Sequence, residues 1–248
     1  MTYRSITAGE VSFSGDKGDE VQAYLAQPVG NGSAGGVIVL HHMPGWDEGS
    51  VEIARKFAHY GYNAICPNLF DRFGKGEPDD VAAVARAGGG KPDDETVGDS
   101  AGAAAYLRGL PNSNGKVGII GFCSGGRQVV LVASRLDNLD AAVDCWGGRV
   151  IADADQLTTS HPVAPIDLTG DLGAPLLGIF GNDDQSPTPE QVDQHEAALE
   201  AAGKTYEFHR YDGAGHGFFS VNRPGYRPEQ ATAAWAEVFK WYGQYLGA

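Results

Sequence analysis

The 248-residue sequence predicts an α/β protein with a mostly parallel central sheet flanked by helices on both faces. Three observations carry this. Short apolar runs alternate with helix-patterned stretches along most of the chain. The run at residues 116–120 breaks sharply into Gly121-Phe122-Cys123-Ser124-Gly125-Gly126 and then into a helical pattern at residues 128–134. Two Gly-containing turns, at residues 181–187 and 213–218, each follow a predicted strand directly. No internal repeat or linker divides the chain, so residues 1–248 read as one domain.

Taken in order, residues 5–27 read as two strands around the turn Ser14-Gly15-Asp16-Lys17-Gly18-Asp19, an edge hairpin. Residues 37–40 form a short apolar strand that runs into His41-His42-Met43-Pro44-Gly45-Trp46. An amphipathic helix follows at residues 51–60, then a buried strand at 64–66. Residues 67–92 are polar and rich in Gly and Asp, and read as a long connection of the kind that often forms a lid. Val97, Ala101, Ala104 and Leu107 recur at helical spacing within a helix at residues 93–110. After the 121–126 turn come a strand at 141–146, an irregular stretch at 147–173 that borders a pocket, and a strand at 175–180. Pro189 opens a helix ending near Ala202, in the favoured first-turn position. Residues 206–211 form the last strand, and Trp235, Val238, Phe239, Tyr242 and Leu246 lie on one face of a C-terminal helix.

The formal charge of −14 argues against nucleic acid or an anionic membrane as a partner, since both select basic surfaces. The opening residues show no apolar signal core, and no apolar run approaches a membrane span. Cys66, Cys123 and Cys145 are few, odd in number and widely spaced, which fits a reducing cytoplasm and not a disulfide framework.

A strand breaking into a helix, with glycines two residues before and after the central residue, is the pattern of a nucleophile elbow. The central residue is held in a strained backbone conformation, and only glycine lets strand and helix pass so closely. Here that residue is Cys123. Its side chain is expected at the carboxyl edge of the sheet, over a helix N-terminus that favours an anion. Asp184 and His216 lie in the two turns at the same edge, where active sites of parallel sheets sit. The order nucleophile, acid, histidine is that of α/β-hydrolases. Cys123 is expected to attack an acyl carbon, with His216 as base and Asp184, preferred over Asp183, orienting the imidazole. The backbone N–H groups of Ser124 and Met43 are the expected oxyanion donors. His42, Trp46, Arg127 and Phe219 are the candidate substrate-binding residues, with Phe70 and Phe73 as further walls; core packing or lid contacts are the alternative for the aromatic residues, and a surface or helix salt bridge the alternative for Arg127. Adjacent strand residues point to opposite faces, so His41 and His42 do not read as a metal pair, and no metal is expected.

At this point the sequence resembles the dienelactone hydrolase (carboxymethylenebutenolidase) family. The resemblance rests on Gly121-Phe122-Cys123-Ser124-Gly125-Gly126, Gly181-Asn182-Asp183-Asp184 and Gly215-His216-Gly217-Phe218, with Asn63-Ala64-Ile65-Cys66-Pro67-Asn68-Leu69-Phe70 and Asn114-Gly115-Lys116-Val117-Gly118 in support. It spans residues 36–245 and implies an α/β-hydrolase fold, a Cys123–His216–Asp184 triad, no metal or organic cofactor, and hydrolysis of enol-lactones or related small esters. Two positions depart from the best-known members: His42 stands where they carry a glutamate, and Ser220 stands where they carry an arginine for the substrate carboxylate. Arg72, Arg127, Arg223 and Arg227 are the arginines available to replace it. Two other functions remain open on the sequence: a redox-sensing or ligand-binding thiol without turnover, and acyl transfer to an acceptor other than water. The sequence does not choose between monomer and homodimer.

Overall fold

A computed structural model describes residues 4–30, 32–43, 45–221 and 223–247. Its strands are Ile6–Ser14 (β1), Glu20–Pro28 (β2), Ala34–Leu40 (β3), Asn63–Pro67 (β4), Ser113–Phe122 (β5), Ala141–Cys145 (β6), Leu176–Gly181 (β7) and Tyr206–Tyr211 (β8). Its α-helices are Glu48–His59 (α1), Pro78–Ala87 (α2), Asp93–Arg108 (α3), Ser124–Arg135 (α4), Pro189–Ala201 (α5) and Pro228–Tyr245 (α6). The strands form one sheet in the order β1-β2-β4-β3-β5-β6-β7-β8. β1 pairs antiparallel with β2, and β2 with β4; every pairing from β4 to β8 is parallel.

The central strands are buried on both faces, as strands covered by helices on both sides must be. In β3, Ile38 and Leu40 pack into the layer that holds Ala103, Ala104 and Leu107 of α3 and Val129 and Val132 of α4. Val37 and Val39 face the opposite layer, with Phe57 of α1 and Val238, Phe239 and Tyr242 of α6. The strand pleat thus feeds two cores. Tyr242 reaches from α6 to the middle of the sheet, where its hydroxyl donates to the Ile119 carbonyl at 2.9 Å.

The polar connection at residues 67–92 is not a structureless lid. It contains a 3₁₀ turn at Asp71–Phe73 and the ten-residue α2. Pro78 opens α2, Asp79 and Asp80 occupy its first turn, and Ala82 and Ala85 are its buried residues. Its short length and the glycines on both sides, Gly74 and Gly76 before it and Gly88, Gly89 and Gly90 after it, make the stretch read as a connection. The stretch at 147–173 likewise carries 3₁₀ turns at Ala154–Gln156 and Pro165–Asp171. Within α3, Ala104 and Leu107 are buried as expected, but the rest of the buried stripe is largely polar: Asp93, Thr96, Asp99 and Ser100. The two aspartates are ion-paired, Asp93 with Arg127, and Asp99 with Arg72 and Lys91.

Candidate active site

Cys123 joins β5 to α4 with φ 56° and ψ −116°, a strained conformation for a residue with a side chain. The close approach around it explains the glycines. A Cβ on Gly121 would lie 2.1 Å from the Gly125 carbonyl oxygen, and one on Gly125 would lie 2.4 Å from the Leu40 carbonyl oxygen. Neither backbone can yield without breaking the strand-to-helix junction. The Cys123 carbonyl accepts from Gly126 N at 3.0 Å and Arg127 N at 3.2 Å, which starts the helix. The N–H of Ser124, the first residue of α4, has no intrahelical acceptor by geometry and is a free first-turn donor. Met43 lies in the turn after β3, closed by Gly45 N–H donating to His42 O at 2.8 Å.

The turns after β7 and β8 bring Asp184 and His216 together. His216 Nδ1 donates to Asp184 Oδ2 at 2.9 Å, and Asp184 Oδ1 accepts from Ser186 N at 2.9 Å. Asp184 is only 3% exposed, whereas Asp183 is exposed, so the geometry selects Asp184 as the partner of the imidazole. With Nδ1 engaged, Nε2 is left for the thiol of Cys123. Burial alone would lower the pKa of His216. Hydrogen bonds to Asp184 and Cys123, and attraction by both, override it and raise the value to about 10. An imidazole that holds its proton more tightly in the folded chain stabilises the fold wherever that proton is bound. This contribution is therefore full below the ordinary histidine value of 6.5 and is lost as pH rises toward about 10. Urea unfolding of wild type and His216→Asn across pH 6–10 is expected to show a stability gap that closes with rising pH. The gap is small, because the imidazole is 40% exposed and screened by water. A gap that widened with pH would contradict the arrangement.

The four expected substrate-binding residues are placed differently from one another. Trp46 is half-buried, lines a cavity beside the loop after β3, and donates its indole N–H to the Cys66 carbonyl at 3.0 Å. His42 Nε2 lies 2.8 Å from Oδ2 of Asp47, the N-cap of α1. Burial would raise the Asp47 carboxyl, but hydrogen bonds from His42 and Ser50 hold it well below the usual carboxylate range. Arg127 takes the salt-bridge alternative. Its guanidinium is buried and forked onto Asp93 at 2.7 and 3.0 Å, with a further bond to Val163 O at 3.2 Å. It joins α4 to α3. Phe219 takes the core-packing alternative. It is 8% exposed and packs among Phe122, Trp146, Phe218 and Trp235, with centroids 4.7–6.3 Å apart. Of the other arginines weighed, Arg72 forks onto Asp99, and Arg227 bonds the carbonyls of Gly213, Pro224 and Tyr226.

His41 is also committed. Its Nδ1 donates to His42 O at 2.9 Å and its Nε2 accepts from Leu69 N at 3.1 Å. Burial lowers its pKa to about 4, so it is a neutral strut between β3 and the segment after β4. Cys66 and Cys145 are buried, and burial pushes both thiols up. Among the described residues one three-ligand grouping exists, Glu207, His209 and Glu237, where Lys240 already pairs with both glutamates.

Two site neighbours escaped the sequence reading. Trp146 takes φ 44° directly after β6 and sets its indole against the His216 ring, centroids 6.4 Å apart. Asp144 is fully buried, and its Oδ1 accepts from Gly147 N at 2.8 Å beside Gly126. Burial raises its carboxyl to about 7. An apolar strand-end tryptophan and a lone acid in a strand carry no sequence signal for either role.

The sheet order, the strand-to-helix junction at Cys123 and the Asp184–His216 pair at the same sheet edge are those of an α/β-hydrolase fold. Comparison with known proteins narrows the class. The model of the "Dienelactone hydrolase family" matches residues 21–246, and the chain belongs to that family as a hydrolase of carboxylic esters. A Salmonella typhimurium protein named "Putative carboxymethylenebutenolidase" is 35% identical, over 98% of this chain and 89% of its own length. A Bradyrhizobium protein named "Probable 2-oxo-3-(5-oxofuran-2-ylidene)propanoate lactonase" is 28% identical, over 89% of this chain and 88% of its own. The crystal structure of a "Putative Dienelactone Hydrolase" from Klebsiella pneumoniae superposes with a TM-score of 0.89 at 31% identity, covering 98% of this chain and all of that one. No helix among the described residues is long and apolar enough to cross a membrane.

Proposed function

We propose that this protein hydrolyses small lactones and carboxylic esters through an acyl-thioester on Cys123. The observation that carries the reading is the line from Asp184 through His216 to the Cys123 thiol, in which both acidic partners raise the pKa of the imidazole. His216 takes the thiol proton, and Cys123 Sγ attacks the acyl carbon. The carbonyl electron pair moves to oxygen, which the N–H groups of Ser124 and Met43 receive. Collapse of that oxyanion breaks the ester C–O bond, and His216 returns its proton to the departing oxygen. In a lactone the departing oxygen stays tethered to the acyl group. Water then attacks the thioester, giving its proton to His216, and the thiol leaves as the acid forms. Asp184 keeps Nδ1 protonated and the ring oriented throughout.

The names borne by the relatives support a lactone as substrate. Ser220 and the committed Arg72, Arg127 and Arg227 favour a scope wider than carboxylate-bearing dienelactones, with Arg223, among the described residues, the one of the four arginines left to meet a carboxylate. Intact-protein mass spectrometry during turnover of an uncharged lactone and an aryl ester is the test. A transient acyl adduct on Cys123, decaying with acid release, is the expected result. Turnover with no adduct on rapid quench, and unchanged turnover after Cys123 is alkylated, would overturn the mechanism.

A further inference from the structure

A cavity of about 190 Å³ lies between the loop after β3 and the segment that follows β4. Trp46, Phe70, Pro78 and Val81 form its apolar walls; Gln22, Asn68, Asp71 and Lys75 stand on its polar side. The two aromatic walls are fixed. The Trp46 indole is anchored on the Cys66 carbonyl. The Phe70 ring is held by edge contacts to His41 and Phe73, with centroids 4.8 and 5.9 Å away. Gly74 and Gly76, at φ 122° and 149°, carry the chain around the cavity on a path that a side chain would strain. The Asn68 Oδ1 accepts from Phe70 N at 3.1 Å, which leaves its amide N–H₂ for an outside acceptor.

Position relates the cavity to the nucleophile. β4, β3 and β5 are consecutive in the sheet, and both the cavity and Cys123 lie beyond their carboxyl ends. Neighbouring strands are about 4.8 Å apart and β4 lies two strands from β5, an interval along the sheet edge of about 10 Å that one ester plus one ring can span. Trp46 also follows Met43 by only three residues, on the same loop.

Resting on the hydrolase reading, we propose that this cavity is the subsite for a monocyclic aromatic ring in the acyl or leaving group of the substrate. An apolar cavity of roughly 150 Å³ accommodates benzene, so a single ring fits this one with a small substituent to spare. A flat ring between Trp46 and Phe70 gains offset and edge-on contacts that an alkyl chain of equal volume lacks. A substituent that accepts hydrogen bonds meets Asn68 and Lys75.

The test titrates the Cys123→Ala protein with phenyl acetate and, in parallel, with ethyl acetate. The indole N–H resonance of Trp46, assigned with Trp46→Phe, is followed by NMR. Phenyl acetate is expected to shift that resonance and to bind about tenfold more tightly than ethyl acetate. Val81→Trp, which fills the cavity from α2, is expected to remove the preference and leave ethyl acetate binding unchanged. Phenyl acetate binding without a Trp46 response, absence of a phenyl preference, or a preference that survives in folded Val81→Trp, each overturns the subsite. If Val81→Trp does not fold, the Trp46 resonance decides alone. A Trp46 response without hydrolysis by wild type would preserve the subsite and remove the hydrolase reading. An acyl adduct on Cys123 with a silent Trp46 would do the reverse.

Discussion

Replacing Cys123 with alanine is expected to lower kcat/KM for a lactone or aryl ester by on the order of 10⁴-fold or more, with the fold intact. Cysteine and alanine face the same backbone strain at φ 56°, so the substitution leaves the turn's energetics nearly unchanged. The Cys123 side chain is half-buried, and its loss should cost stability only about 1 kcal/mol. The loss of rate is expected to be large because the proposed mechanism has the thiol, imidazole and carboxylate act as a unit. His216→Ala in the same background should therefore add little to the defect. Activity and urea midpoints of the single and double variants check both statements. Full activity in Cys123→Ala would refute the nucleophile assignment. Multiplying defects in the double variant would refute the coupling of His216 to the thiol.

The elbow could be read because its determinants are local. Gly121, Cys123 and Gly125 lie within five residues, and the close approach that requires them involves backbone from the same junction or from the neighbouring β3. The placement of Asp184 and His216 at one sheet edge followed from the alternation of strands and helices, since parallel strands share a carboxyl edge. What was not legible depends on contacts between distant residues. Arg127, four residues after Cys123, was open between a substrate-binding cation and a salt bridge. Its partner, Asp93, lies 34 residues earlier, and nothing in either stretch announces the pair. Phe219, three residues after His216, was open between a pocket wall and core packing; α6 brings Trp235 against it at 4.7 Å. The helix α2 was missed for a different reason. It spans only ten residues between Gly74 and Gly76 on one side and Gly88, Gly89 and Gly90 on the other, so loop signals outweighed its periodicity. The Trp46 cavity depends on that helix, because Pro78 and Val81 belong to it.

The Arg127–Asp93 pair has a large consequence for stability. The two residues are 7% and 6% exposed, and the guanidinium meets the carboxylate at 2.7 and 3.0 Å. Arg127→Met leaves a buried carboxylate without its cation and is expected to cost about 3–5 kcal/mol. For a chain of this length that lowers the melting temperature by roughly 10 °C. Asp93→Leu should be comparably harmful, because it strands the arginine. Removing both charges should restore most of the loss, since each single variant is penalised chiefly by its unpaired partner. The effect should also reach the active site. Arg127 lies in the first turn of α4 and donates its backbone N–H to the Cys123 carbonyl at 3.2 Å. Asp93, at the start of α3, donates its own N–H to Ser160 O at 2.9 Å, so one ion pair ties the elbow to α3 and to the 147–173 stretch. A double-mutant cycle in urea, with kcat measured on each variant, separates these roles. The expected outcome is a coupling energy of about 3 kcal/mol or more, with stability recovered in the double variant and kcat following the recovery. Independent, additive losses would show that the two residues are merely buried near one another. A selective rise in KM for anionic substrates, with stability unchanged, would return Arg127 to the substrate site.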